Sequence, residues 1–216
     1  MKSLLVLIAI LGLQCCALFG QQNQQQSLDA MRNFPAYQEA VLKVYQGYES
    51  GLSTHCPKID LNMATRHAKV YAPIQIDADG HITNGVWVER TDGVACGEKR
   101  HYAALVIFKE GKPELYSLLP GDSYATPLLQ HDAMLQVSSA LVVAGAGTSC
   151  SADVIDTVLP NGEPAREGLP WDEKWTVRGC GKLYLMTVHF VPDATGTGIN
   201  ISGKETVNLS SKTSNR

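Results

Sequence analysis

The stretch WTVRGCGKLYLMTVHFVPDATGTG, residues Trp175–Gly198, joins two apolar segments through the turn Gly179-Cys180-Gly181. Glycine supplies backbone conformations that other residues avoid, so this pattern predicts a β-hairpin. Alternate positions of its second arm are large and apolar, namely Tyr184, Met186, Val188 and Phe190. A period of two is typical of a strand with one face on a core. We therefore expect antiparallel strands in this half of the chain.

Cys180 and His189 raise the question whether this hairpin carries a thiol nucleophile and its base. They are nine residues apart, and at about 3.3 Å per residue a strand separates them by about 30 Å. A histidine base must lie within about 3 Å of the thiol. The spacing favours a structural role for Cys180, and we assign no catalytic residue.

The first residues have the pattern of a secretory signal peptide, with Lys2, the apolar run Leu4–Leu13 and small residues before Gly20. That run is too short for a membrane-spanning helix, which needs about 20 residues. We expect a periplasmic or secreted protein with no transmembrane segment. A lipid anchor at Cys15 or Cys16 is the alternative, but the small residues that lipid modification requires do not precede either cysteine.

Four cysteines remain after removal of such a signal peptide, and they are Cys56, Cys96, Cys150 and Cys180. An even number in an exported chain predicts two disulfides. The sequence contains no Cys-x-x-Cys motif and no close cysteine–histidine cluster, so we expect no metal and no cofactor. The cysteine count alone leaves all three possible pairings open.

The composition limits the class of partner. The chain of 216 residues has a formal net charge of −3, and 44% of its residues are hydrophobic. Such a chain can bury a core, and its mild negative charge argues against nucleic acid as a partner. We expect the partner to be an unknown protein or an envelope polysaccharide.

Two segments have the signals of helices. The first begins at Pro35, has apolar side chains on one face and ends near Gly51. The second begins after Thr126, a suitable N-cap, with Pro127 in its first turn, and continues to about Ala144. Segments with strand patterns follow each helix. The sequence therefore predicts an α+β fold in which a predominantly antiparallel sheet packs with two helices.

The segments VWVERTDGVACGEKRHYAALVIF and KWTVRGCGKLYLMTVHF are alike, since each has a tryptophan strand, a Cys-Gly turn and an apolar strand ending in phenylalanine. One interpretation is an internal duplication, which favours the disulfides Cys56–Cys96 and Cys150–Cys180. The other is that two hairpins obey the same turn chemistry. The predicted organisation is a signal peptide at 1–20, a disordered lead-in at 21–33, two helix-plus-strand halves at 34–122 and 123–205, and a flexible tail at 206–216.

Trp171 and Trp175 lie four positions apart in an extended segment, so their rings point the same way. Exposed rings would form a platform for a sugar or a protein, whereas buried rings would cover the sheet. The candidate binding residues are Trp171, Trp175 and His189. The acidic residues in and beside the neighbouring loop are a further candidate edge, which a solvated loop explains more simply: Glu163, Glu167, Asp172 and Glu173.

The motif W-T-V-x-x-C-G, followed by V-x-F-x-P-D-x-x-G-T, resembles the C-terminal part of uncharacterised exported bacterial proteins. The matching positions are Trp175, Thr176, Val177, Cys180, Gly181, Val188, Phe190, Pro192, Asp193, Gly196 and Thr197. The resemblance implies a periplasmic or secreted bacterial protein and implies no activity. The doubled helix-and-strand units with disulfides also resemble secreted inhibitor proteins, at the level of architecture only.

Two functional hypotheses follow. We expect an exported, disulfide-stabilised, non-enzymatic binding or structural module, because no catalytic constellation stands out. The alternative is a cell-envelope hydrolase that acts on peptidoglycan or polysaccharide. A hydrolase requires several titratable side chains to meet in one concave pocket, and the candidates are Asp92, Asp122, Asp132, Asp172, Glu173 and the histidines.

Overall fold

A computed structural model describes residues 23–56 and 58–210 of the chain. This part contains three helices, α1 (residues 23–32), α2 (Pro35–Gly51) and α3 (Pro127–Val143). Its nine strands are β1 (Ile59–Ile76), β2 (Ile82–Ala95), β3 (Glu98–Lys109), β4 (Lys112–Ser117), β5 (Ala152–Val158), β6 (Trp171–Gly179), β7 (Lys182–Pro192), β8 (Thr197–Ile201) and β9 (Val207–Asn208).

The strands form two antiparallel sheets. The first sheet contains β1 to β4 in sequence order, and the second contains β5 to β8 in sequence order, with β9 also paired to β7. The predicted α+β class is confirmed, with one helix more than expected. No helix within residues 23–56 and 58–210 is long and apolar enough to cross a membrane.

The predicted start of the second helix, with Thr126 as its N-cap and Pro127 in its first turn, is confirmed. Thr126 is the N-cap of α3, and its side chain accepts a hydrogen bond from the backbone N–H of Leu129 at 3.3 Å. Pro127 then occupies the first turn, where its missing N–H costs nothing. These local rules place α3 within one residue of its predicted end.

Contacts divide the chain into two compact units. Of the described residues, unit 1 contains 23–44, 68–88 and 105–116, and unit 2 contains all the others. These units do not coincide with the predicted halves 34–122 and 123–205, because unit 2 also includes Tyr45–His67 and Glu89–Ala104. The duplication of the two halves stays a prediction.

Both Cys-Gly turns have the same backbone shape. Cys96 and Gly97 have φ values of 49° and 83°, and Cys180 and Gly181 have φ values of 48° and 74°. Positive φ at both central residues is the type I′ turn that joins antiparallel strands. In unit 2 the disulfides are Cys56–Cys96 and Cys150–Cys180, so the predicted pairing is confirmed.

The core of unit 2 lies between α3 and the second sheet. Trp175, Val177 and the alternate residues of β7 are fully buried, as the period of two predicts. From α3 the core receives Ala133, Val137, Ala140 and Leu141. The small alanines of this face allow the helix to lie close to the sheet.

Two predictions about the ends of the chain were wrong. Residues 23–32 form α1 rather than a disordered lead-in, because Leu28 is only 1% exposed and anchors the helix. The predicted flexible tail includes β9, and the Leu209 N–H beyond it donates to the Leu183 carbonyl at 2.8 Å. The signal peptide at 1–20, residues 21 and 22 and residues 211–216 lie outside the described part of the chain.

Candidate functional site

The predicted aromatic site becomes part of the core in unit 2. Trp175 has no exposed surface, so it cannot contact a ligand, and the prediction of a binding role for it was wrong. Trp171 is half-buried, stacks on Phe190 with ring centroids 4.7 Å apart and contacts Tyr124 edge to face. Each of these contacts serves packing, and a binding role for Trp171 stays a prediction.

Glu173, between the two tryptophans on β6, is the polar centre of this region. Its side chain is fully buried, and its carboxyl group accepts hydrogen bonds from both indole N–H groups, at 3.1 Å from Trp171 and 2.8 Å from Trp175. Three more donors come from the segment before α3, namely the Ser123 hydroxyl and the backbone N–H groups of Tyr124 and Ala125. This carboxyl group therefore holds the entry to α3 against the sheet.

His189 lies directly opposite Asp172 in the pairing of β6 with β7. Its Nδ1 is 2.8 Å from Oδ1 of Asp172, and its Nε2 is 3.7 Å from Oε2 of Glu205. Cross-strand pairs of this kind stabilise a sheet. The imidazole is one-third exposed, so a binding role for His189 stays a prediction.

Unit 1 contains a cavity of about 610 Å³ that we call the groove. It is open to solvent and is predominantly apolar. Phe34, in the turn between α1 and α2, stands at its edge with 62% of its surface exposed. Its other lining residues include Ala30, Met31, His81, Ile82 and Phe108.

The floor of the groove is fixed by the core of unit 1. The Phe108 ring stacks on Trp87, which is fully buried, with centroids 6.1 Å apart. The Trp87 indole N–H in turn donates to the Tyr37 hydroxyl of α2 at 3.1 Å. Because each ring is held by the next, the floor of the groove is fixed by packing.

The turn Asp77–His81 forms the polar rim of the groove. Asp77 accepts hydrogen bonds from the backbone N–H groups of His81, at 2.8 Å, and Asp79, at 3.0 Å. Chiefly because of the bond from His81, the pKa of Asp77 lies below its ordinary value, so the rim is negatively charged at neutral pH. Ligand atoms of Asp77, Asp79 and His81 lie within 4.8 Å of one another. All three are exposed, and we assign no metal to them.

Unit 2 contains a smaller cavity of about 370 Å³, lined mostly by charged and polar residues, that we call the cleft. In it, Nδ1 of His101 lies 2.9 Å from Oδ1 of Asp92. The hydrolase hypothesis requires several of its candidates to converge, but Glu173 is buried among its donors and Asp172 pairs with His189. The other charged or polar side chains at the cleft are Asp60, Asn62, Lys99 and Arg100.

Asp156 lies close to His101 of the cleft, and its surroundings predict how the stability of the protein depends on pH. Burial raises the pKa of its carboxyl group; nearby His101 opposes this effect and Asp122 adds to it. Its Oδ1 is buried without a hydrogen-bond partner. A folded-state pKa above the unfolded value means that stability present at low pH is lost as pH rises through the folded pKa. We therefore expect Asp156→Asn to raise the free energy of unfolding at pH 7.

At about pH 3 the gain from Asp156→Asn should vanish, because the carboxyl group is then protonated in both states. Thermal unfolding of the variant and the unaltered chain at both pH values measures the difference. Asp79→Asn makes the same change at an exposed position and should alter stability by less than about 0.5 kcal/mol. A destabilising effect of Asp156→Asn at pH 7 would contradict the expected sign.

The groove was missed by sequence reasoning. Its walls come from α1, from the turn before β2 and from β3, which lie far apart in the chain. The turn itself was recognised from DADG, residues 77–80. The signal that was overlooked is the spacing of Leu28 and Met31, which places two apolar side chains on one face of a helix.

Comparisons with known proteins identify no family for this chain. No protein-family model matches the chain. No curated protein matches it either. Among solved structures, it is similar to the crystal structure of a cystatin-like protein from Ruminococcus gnavus ATCC 29149, with 12% identity, 82% of this chain and 77% of that chain covered, and a TM-score of 0.25. At that TM-score the likeness carries no argument about fold or function.

Proposed function

We propose that this chain is an exported, disulfide-stabilised binding module whose unit 1 groove captures a segment of another protein. The observation that carries the proposal is the groove itself, a predominantly apolar cavity of about 610 Å³ with an exposed phenylalanine at its edge. Binding pockets are typically concave, apolar and bounded by a few polar groups. Two disulfides indicate an oxidising compartment, which supports export.

The chemistry of the groove indicates what it would bind. Met31, Phe34 and Phe108 offer apolar contacts to one large side chain. Asp77 places negative charge beside them, at the rim, and Asp79 lies in the same turn. The ligand that complements both features is a peptide segment with an aromatic or aliphatic residue next to a lysine or an arginine.

Selection of random peptides displayed on phage against the full exported chain tests this proposal. We expect the selected peptides to share a large apolar residue beside a basic one. Phe34→Ala should then weaken binding of a selected peptide at least tenfold, because an exposed aromatic ring at a pocket edge supplies much of the contact energy. Isothermal titration calorimetry measures the change.

The matched control is Tyr116→Ala, which removes another exposed aromatic ring of unit 1 outside the groove. Its affinity for the same peptide should stay within about twofold of the original. Equal losses for Phe34→Ala and Tyr116→Ala, or a selection with no shared apolar–basic motif, would exclude the groove as the site.

The hydrolase alternative has one supporting observation, the Asp92–His101 pair in the cleft. Incubation of the chain with purified peptidoglycan tests it. Release of soluble fragments that is abolished in a His101→Ala variant would favour the hydrolase over the binding module.

A further inference from the structure

The connection between β5 and β6, residues 159–170, is the longest segment without a helix or a strand within residues 23–56 and 58–210. It has 12 residues, and we call it the long loop. Neighbouring antiparallel strands are ordinarily joined by about two to five residues. Loops of this length without secondary structure are uncommon and often have a function of their own. The hairpin of β5 and β6 therefore does not account for the long loop.

The long loop is open to solvent. Nine of its 12 residues are exposed and the other three are half-buried. Three of its positions are proline, and its two glycines, Gly162 and Gly168, have φ values of 72° and 81°. Exposed loop tips with small and polar residues are the preferred sites of proteolytic cleavage. The composition and exposure of the long loop both match such a site.

Arg166 gives the long loop its chemical specificity. It is exposed, it is the only basic residue of 159–170, and seven loop residues precede it while four follow it. Trypsin-like proteases hold a basic side chain in a narrow acidic pocket and bind the flanking residues as an extended strand. The next residue is Glu167 rather than proline, so the bond between them is free of the restriction that a proline imposes.

The other basic residues outside helices and strands of the described part, Lys58 and Lys204, are placed less favourably. Lys58 directly precedes β1, and its ammonium group lies 3.5 Å from a carboxylate oxygen of Asp60. Lys204 lies in a five-residue connection in which the Glu205 N–H donates to the Ser202 carbonyl at 3.1 Å. Neither segment can extend into a protease without opening the strand beside it, whereas Arg166 has loop residues on both sides.

We propose that the long loop is a processing site for a protease of trypsin-like specificity, which hydrolyses the peptide bond between Arg166 and Glu167. The reaction consumes one water molecule. Its oxygen joins the carbonyl carbon of Arg166 as the bond from that carbon to the Glu167 nitrogen breaks, and a proton goes to this nitrogen. The products are a new carboxyl terminus at Arg166 and a new amino terminus at Glu167.

The cleaved chain remains a single covalent molecule. Cys150 and Cys180 lie on opposite sides of the bond and form a disulfide, so the two fragments stay linked. β5 and β6 also keep their six paired positions, which are Ala152↔Gly179, Asp153↔Arg178, Val154↔Val177, Asp156↔Thr176, Thr157↔Trp175 and Val158↔Lys174. The product is therefore a folded, two-chain form of the protein rather than a degradation intermediate.

Digestion of the full exported chain by a small amount of trypsin under native conditions tests the site. The first product should have the mass of the intact chain plus one water before reduction, and two fragments should appear after reduction, the smaller beginning at Glu167. Arg166→Gln should slow the first cleavage at least about tenfold, because the acidic pocket of the protease loses its cation. The control Lys204→Gln should leave the rate within about twofold.

A destabilised variant separates cleavage of the native protein from cleavage of unfolded chains. Val137→Ala opens a cavity in the core of unit 2 and destabilises the fold. If the long loop is cut in the native state, the initial rate of cleavage after Arg166 should change by less than about twofold in this variant. The cleaved, non-reduced product should unfold cooperatively within about 5 °C of the intact chain.

Four results would overturn the processing site. They are a first cut at another residue, a cleavage rate that rises in Val137→Ala, a cleaved product without a cooperative transition, and equal slowing by Arg166→Gln and Lys204→Gln. A stable complex with trypsin in which the chain stays uncut would also overturn it, because the long loop would then act as an inhibitor rather than as a substrate.

Discussion

Replacing Glu173 by alanine is expected to lower the free energy of unfolding by about 4 kcal/mol. The carboxyl group accepts hydrogen bonds from two indoles, one hydroxyl and two backbone N–H groups, and the residue is fully buried. Each buried donor that loses its partner costs about 1–3 kcal/mol unless it finds a new one. Alanine removes the acceptor of all five donors at once, although the Ala125 N–H also donates to the Ser123 hydroxyl oxygen at 3.2 Å.

Urea unfolding followed by tryptophan fluorescence measures this loss. Glu167→Ala removes an exposed carboxyl group from the neighbouring loop and should change stability by less than about 0.5 kcal/mol. Glu173→Gln keeps one acceptor oxygen and should fall between the two variants. If Glu173→Ala costs no more than Glu167→Ala, the carboxyl group does not hold the entry to α3.

Sequence reasoning located Glu173 in the wrong environment for a specific reason. It grouped the residue with the acidic side chains of the loop before β6, although Glu173 has the same parity as Trp171 and Trp175 in an extended segment. Side chains two positions apart share a face of a strand, so the argument applied to the tryptophans also places Glu173 in the core. A glutamate flanked by indole donors on the buried face is a recognisable pattern, and it was available in the sequence.

The features that were predicted correctly from the sequence depend on local signals. The turns at Cys96-Gly97 and Cys180-Gly181 and the N-cap at Thr126 each depend on a few adjacent residues. The pairing of the disulfides was predicted from the likeness of the two hairpins. By contrast, the groove depends on three segments whose meeting no local rule specifies. The helix α1 was missed because its glutamines make the segment polar overall, although one short face of it is apolar.

A second buried network, in unit 2, gives the other large effect. Arg100 and Glu49 are almost entirely buried, and Nε of Arg100 lies 3.0 Å from Oε1 of Glu49. The Tyr102 hydroxyl donates to the same oxygen at 2.9 Å; burial, reinforced by the Glu49 carboxyl, raises the pKa of this hydroxyl, which therefore remains a donor at neutral pH. Glu98 bridges Arg100 to Arg178 at 2.8 and 2.9 Å.

Arg100→Met is expected to lower the free energy of unfolding by about 3–5 kcal/mol, since it leaves the Glu49 carboxyl group buried without its cation. Oε2 of Glu49 already lacks a hydrogen-bond partner, and the Tyr102 hydroxyl that donates to Oε1 is neutral and does not replace the lost positive charge. Urea unfolding measures the loss, and Arg166→Met in the exposed loop is the matched control, with an expected change below about 0.5 kcal/mol.

The double variant Glu49→Leu/Arg100→Met separates the value of the ion pair from the cost of breaking it. Two apolar side chains of similar volume remove both charges together, and buried ion pairs replaced in this way are often neutral or even gain stability. We expect the double variant to be more stable than Arg100→Met alone, which would show that the single loss is the cost of an unpaired charge. If the double variant is no more stable, the network stabilises unit 2 through its hydrogen bonds to Tyr102 and Glu98.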